Sequence, residues 1–251
     1  MRPARKRLLV GVGLASLLLG VALVLPGGRA VLLGLLNNEP FYQGKPARWW
    51  SRALRQEKEA GPPLLFRHGD SLGVIQAFVR EDRAEAVPVL QVLLNDDESY
   101  VRQRAAEALG RLRAQDDAVT AALRERLRDE SAPVRREAAA ALGRIGTGDE
   151  AVLRALRAAG CDDDELVRLE AVRALARIGP SAGDPVPVLI DRLKDESELV
   201  RWEAADALGQ LGPRARAAVP ALRAAQKDRS EFVRAAAEGA LRRINPAAPE
   251  R

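Results

Sequence analysis

A phrase that returns every 33 residues sets the terms for this chain. Val-Arg occurs at Val101-Arg102, Val134-Arg135, Val167-Arg168, Val200-Arg201 and Val233-Arg234. The same step links Leu109, Leu142, Leu175, Leu208 and Leu241, and again Asp96, Asp129, Asp162, Asp195 and Asp228. Three residue types holding one register over five copies mark a repeat architecture, in which each unit buries its apolar face only against the next.

Each copy reads as two helices. The first is carried by 87–94, 184–193 and 218–226, with Leu90, Leu123, Leu156, Leu189 and Leu222 at its centre and Pro88, Pro187 and Pro220 expected in its first turn, where a missing N–H costs little. The recurring Asp ends it. The second starts near the Val-Arg pair and stops at about Leu112, Ile145, Ile178, Leu211 and Ile244. Its apolar residues Val134, Ala138, Ala141, Leu142 and Ile145 form one stripe of a 3.6-residue helix. Ser131, Asp164, Ser197 and Ser230 stand as N-caps, and Gly146, Gly179 and Gly212 as left-handed C-caps. Ala105, Ala138, Ala171, Ala204 and Ala237 allow close helix contact. The expected fold is all-α: a solenoid of five to six such repeats over 71–246, followed by a short tail, 247–251.

Charge is uneven. The chain carries 40 Lys and Arg against 35 Asp and Glu. Five of the basic residues (Arg2, Arg5, Lys6, Arg7, Arg29) fall within 1–29, which has no acid, so 30–251 is formally neutral at 40 − 5 = 35 against 35. A neutral body argues against nucleic acid as a partner, since phosphate binding rests on a basic surface. The run Leu8–Leu25 holds 18 uncharged residues, about 27 Å of helix, close to a bilayer core. With the basic tail 1–7 before it, the expectation is a transmembrane anchor with Met1 in the cytoplasm and the repeats outside it; a cleaved signal peptide exports the repeats equally.

Residues 26–70 form a juxtamembrane connector rich in aromatics. Phe41, Tyr42, Trp49 and Trp50 fall within ten residues. A short helix opened by Pro46, with Trp50, Ala53 and Leu54 on one face and Gly61-Pro62-Pro63 as its stop, is expected to cap the first repeat; an aromatic belt at the membrane surface is the alternative.

The pattern A-V-P-x-L-x-x-x-L-x-D-x-x-x-x-V-R-x-x-A-A-x-A-L-G-x-I-G over residues 74–246 resembles the HEAT repeat, in the short bacterial form shared with phycobilisome-lyase-like proteins. The stretch from Tyr42 to Trp50, Tyr-x-Gly-Lys-Pro-x-x-x-Trp, looks like a connector of bacterial membrane-anchored repeat proteins. The resemblance implies that Arg102, Arg135, Arg168, Arg201 and Arg234 pair with inter-helix Asp residues and turn carbonyls. Regular recurrence argues the same: a catalytic group is needed once, a structural group in every repeat. No Gly-rich phosphate loop, paired His ligands or nucleophile–His set stands in the sequence. With the single His68, iron-binding His-Glu pairs like those of HEAT-type deoxyhypusine hydroxylases are excluded. No cofactor, metal or catalytic residue is expected. The acidic run Asp162–Glu165 reads as a solvated helix start, and Cys161 as a small packing residue.

Positions that vary between copies are the functional candidates. The residue after the recurring Arg reads Gln103, Arg136, Leu169, Trp202 and Ala235, and is expected to be exposed on the second-helix face, which lines the concave surface in HEAT solenoids. Leu169 and Trp202 then form an apolar spot with Glu170, Arg173, Glu203 and Asp206 around it. The expected function is a membrane-anchored, non-catalytic scaffold that holds a protein or peptide there. A lyase-like enzyme or accessory subunit is the alternative, and a nucleic-acid-binding solenoid a distant third.

Overall fold

The computed structural model describes residues 35, 37–60, 78, 83–179 and 184–245. The apolar run 8–25, His68, the Gly61-Pro62-Pro63 stop and the tail 247–251 lie outside the described residues. Among the described residues, no helix is long and apolar enough to cross a membrane. The chain divides into two compact units, residues 1–101 and 102–251.

In the first unit, strands β1 (Phe41–Tyr42) and β2 (Lys45–Pro46) pair antiparallel. The turn residues Gln43 and Gly44 both take positive φ, 49° and 69°, as a tight hairpin requires. Helical periodicity gave no hint of this hairpin. Helix α1 (Ala47–Ala60) follows, opened by Pro46 as expected. Its face of Trp50, Ala53 and Leu54 is buried. The rings of Tyr42, Trp50 and Phe78 meet with centroids 4.6–5.7 Å apart, and α1 and β1 pack on α2 (Arg83–Leu93). Tyr42 and Trp50 are therefore core residues of this unit. Helix α2 begins five residues before Pro88, so that proline lies inside the helix and not in its first turn.

The second unit alternates first helices α4 (Asp117–Arg126), α6 (Glu150–Ala159), α8 (Val186–Arg192) and α10 (Val219–Ala225) with second helices α5 (Ala132–Ile145), α7 (Glu165–Ile178), α9 (Glu198–Gln210) and α11 (Glu231–Ile244). Helix α3 (Ser99–Leu112) leads into it, and a 3-10 turn at Gly212–Ala218 precedes α10. The Val, Ala and Leu of the repeat are buried in α5 (Val134, Ala138, Leu142), α7 (Val167, Ala171, Leu175) and α9 (Val200, Ala204, Leu208), while in the last helix, α11, Leu241 is only partly buried. Glycine sets the distance between them. A Cβ on Gly143 would lie 2.8 Å from Ala174 Cα, and one on Gly209 2.9 Å from Ala240 Cα, so a larger residue forces the helices apart.

The recurring Asp builds each turn. Its Oδ1 accepts the N–H two residues on: Asp129 from Ser131, Asp162 from Asp164, Asp195 from Ser197 and Asp228 from Ser230, at 2.9–3.0 Å. Of the expected N-caps, Asp164 and Ser230 accept helix N–H groups, while Ser131 and Ser197 make no side-chain cap bond. At the C-caps, Gly146 is left-handed, whereas Gly179 has positive φ with an extended ψ of −161°.

Candidate functional site

The recurring Arg and Asp meet across repeats. Arg102, Arg135, Arg168 and Arg201 each present Nε and Nη2 to both oxygens of the Asp 27 residues on, Asp129, Asp162, Asp195 and Asp228, at 2.7–3.0 Å. The Nη1 of Arg135, Arg168 and Arg201 donates to two carbonyls of its own turn, such as Asp162 O at 2.8 Å for Arg168. Burial pushes the Asp129 carboxyl up, but the Arg102 fork, the Ser131 N–H and nearby Arg charges hold it below its usual value. The same balance lowers Asp162 and Asp96. For Asp228 the Arg201 fork is the largest influence and also lowers it. These residues hold neighbouring repeats together and have little left to offer a ligand.

The residue 27 before Asp96 is Gly69, not an Arg. Helix α1 supplies the partners: Ser51 Oγ donates to Oδ2 and Arg55 Nη2 to Oδ1, both at 2.6 Å. At the other end, Arg234 bonds the carbonyls of Asp228 and Arg229 and meets no carboxylate among the described residues. Arg234, Glu238 and Arg242 are exposed there, whereas Arg243 reaches back to Asp206 at 2.9 Å.

The outward face of the second helices holds the positions that vary. Gln103 and Arg136 are half-buried. Leu169, expected to be exposed, is only 7% exposed and belongs to the core around Val172 and Val200. The position after the Arg lies at the rim of the helix–helix contact, and a Leu there folds into the contact. Trp202, at the same position, is 37% exposed. The charged candidates are committed to one another. Arg173 bonds Glu170 on its own helix at 2.9 Å and Glu203 on the next at 2.8 Å. Asp206 accepts from Gln210 at 2.7 Å and from Arg243 of α11. Glu203 is buried. Glu170, Arg173 and Glu203 thus form one network, and Asp206 a second.

A row that the sequence reading passed over is the more exposed one. Leu166, Leu199 and Phe232 stand immediately before the recurring Val, 33 residues apart, and are 39%, 52% and 63% exposed. Trp202 lies one helical turn from Leu199. The signal was legible in the repeat register, but only if the residue before the Val was compared as well as the one after the Arg. On the first-helix side, an open groove of about 880 Å³ is lined by Arg124, Arg128, Arg154, Asp163 and Cys161. Cys161 is exposed there, not a packing residue. Among the described residues no group of three or more His, Cys, Asp or Glu is arranged to hold a metal ion.

The sequence matches the family described as HEAT repeats at residues 86–165 and 155–242. The chain belongs to the HEAT-repeat family. No curated protein matches it. Among solved structures, an engineered protein is 28% identical, with a TM-score of 0.53 over 69% of this chain and 85% of that one. A designed armadillo repeat protein in complex with the peptide (KR)4 is 28% identical, with a TM-score of 0.53 over 68% of this chain and 85% of that one. The complex of two phycocyanin lyase subunits from Nostoc is 24% identical, with a TM-score of 0.54 over 64% of this chain and 65% of that one, and shares the fold.

Proposed function

We propose that this HEAT-repeat protein is a non-catalytic scaffold, anchored in a membrane by residues 8–25, that binds a protein or peptide segment outside the cytoplasm on its second-helix face. One observation carries the reading. Trp202 and the apolar residues beside it stay exposed on a face where Glu170, Arg173, Glu203 and Asp206 are paired with neighbouring side chains, so the apolar groups are the main feature that this part of the face offers a partner. The designed armadillo repeat protein that holds (KR)4 gives a precedent for peptide binding by a related solenoid. The anchor and the orientation rest on the 18 uncharged residues behind a basic tail. The lyase-like alternative has only a shared fold behind it, and a fold hosts many functions.

The test is photo-crosslinking in the envelope of the source cell, with a photoreactive residue in place of either Trp202 or the exposed first-helix Arg223 of the full chain. One discrete adduct from position 202 and none from 223 is the expected result. Adducts from 223 alone would move the site to the first-helix face and overturn the reading. Protease added to intact spheroplasts should digest the repeats; their protection would overturn the orientation.

A further inference from the structure

The row Leu166, Leu199 and Phe232 stands at the surface of three second helices. Each residue is the second of its helix, and the residue before the N-cap is charged in all three copies (Asp163, Glu196, Arg229), so none takes part in a hydrophobic staple. Single exposed apolar residues are ordinary on a surface. Here three occupy equivalent places on adjacent helices, and Trp202 extends the row by one turn of α9. Between α9 and α11 the close Gly209–Ala240 contact puts the axes toward the short end of the usual spacing of about 8–10 Å.

The surroundings of the row are acidic. Residues 163–165, 196–198 and 229–231 hold six acids (Asp163, Asp164, Glu165, Glu196, Glu198, Glu231) and one base, Arg229. Asp164 caps its helix, Glu196 takes Arg168, and Glu198 takes the Ser230 hydroxyl. Among the described residues Asp163, Glu165 and Glu231 have no side-chain partner, so an uncommitted carboxylate stands beside both ends of the row. Each first-turn acid also favours its helix N-terminus, but that does not consume its hydrogen-bonding capacity.

We infer that this row is a docking strip for a basic, extended peptide segment with an apolar side chain at every third residue. The inference rests on the second-helix binding face proposed above and names its ligand class. Complementary charge selects Lys and Arg in the ligand and disfavours an anionic lipid surface. Spacing selects the period: a polyproline-type strand repeats every three residues and rises about 9 Å over them, within the usual step of about 8–10 Å between packed helices.

The probes are four fluorescent peptides, (Leu-Lys-Lys)4, (Ser-Lys-Lys)4, (Leu-Glu-Glu)4 and (Leu-Lys)6, titrated against the full chain in lipid nanodiscs. The first is expected to bind about tenfold or more tighter than each of the others, and its affinity to fall with salt. The variant Leu199→Ser/Phe232→Ser, with an unchanged thermal melt, is expected to bind (Leu-Lys-Lys)4 no better than (Ser-Lys-Lys)4. Equal binding of those two peptides by the wild type, a preference that survives in the variant, or no binding of any peptide would each overturn the strip. Self-association of the chain that the variant abolishes would also overturn it and assign the row to a second copy. If position 202 still crosslinks a partner in any of those cases, the scaffold function stands and only the ligand class falls.

Discussion

Replacing Arg168 with Ala measures what the inter-repeat contacts contribute. The Arg168 side chain is 6% exposed and that of Asp195 3%. Arg168 makes two bonds to Asp195 at 2.9 Å, two to the carbonyls of Asp162 and Asp163 at 2.8 and 3.1 Å, and one to Glu196 at 3.0 Å. Alanine leaves the Asp195 carboxylate buried with the Ser197 N–H at 2.9 Å and Arg192 at 3.6 Å. Removing one partner of a buried pair costs about 3–5 kcal/mol. Arg234→Ala is the control, because Arg234 occupies the same repeat position, is exposed and bonds only two carbonyls; its expected cost is under about 1 kcal/mol. With a urea dependence of about 2 kcal/mol/M, the first variant should lower the unfolding midpoint by about 1.5–2.5 M and the second by less than about 0.5 M. The assay is circular dichroism of the full chain at neutral pH. Hydrogen exchange across α7 and α9 adds a local readout, because stacked repeats need not unfold together. Equal midpoints for the two variants would refute the reasoning. The double variant Arg168→Met/Asp195→Leu separates causes: if an unpaired buried charge is the damage, it recovers most of the loss.

Gly143→Ala should cost several times more than Gly146→Ala in the same urea assay. The first added Cβ meets Ala174 Cα at 2.8 Å; the second meets nothing within 4 Å and carries only the cost of φ +74°, about 1 kcal/mol. Trp50→Ala should cost about 3–5 kcal/mol and speed exchange of the α2 amides, since its ring packs against both Tyr42 and Phe78. Leu169→Glu should lower the melting temperature sharply while Trp202→Glu shifts it little, reversing the expectation that both are surface residues. Acid should loosen the repeats: Asp96, Asp129, Asp162 and Asp228 are held below their ordinary values, and the unfolded value is about 3.9. Their contribution is therefore complete above about pH 4 and is lost as pH falls through the lower folded values; a melting temperature unchanged between neutral pH and pH 3 would contradict this.

The repeat made most of the fold readable. A 33-residue register located the second helices to within a residue or two at their C-termini, because each copy solves the same burial problem with the same residues. Pro88 is misplaced by the rule that proline favours a helix's first turn, because α2 extends back through the helix-favouring residues to Arg83. The Phe41–Pro46 hairpin was missed because it has no repeat to betray it and spans only two residues a strand. The site was less legible. Leu169 and Trp202 share a position, yet one is buried and the other exposed. Exposure at that rim depends on the size of the side chain and on the neighbouring helix, neither of which a register reports. Glu170, Arg173 and Glu203 looked like ligand-facing charges, but helix-to-helix proximity pairs them with each other.

The contrast between the invariant and the variable positions bears on where selectivity can arise. Arg168 and its counterparts are fixed by geometry on both sides, with a carboxylate 27 residues ahead and carbonyls behind, so a change there weakens the stack whatever the ligand. The residue before the Val meets no such demand: it reads Tyr100, Pro133, Leu166, Leu199 and Phe232 along the chain. Only the last three combine an exposed apolar side chain with a Glu immediately before it, the first two following Ser99 and Ala132. A ligand matched to that combination would therefore be held by three consecutive helices and ignored by the earlier copies. Moving the Glu-Leu pair to residues 132 and 133 would lengthen the strip by one step without touching an inter-repeat bond. If the strip binds as inferred, that variant should prefer a (Leu-Lys-Lys)5 peptide over (Leu-Lys-Lys)4 more strongly than the wild type does. An unchanged preference would mean that the apolar row is not read as a linear series.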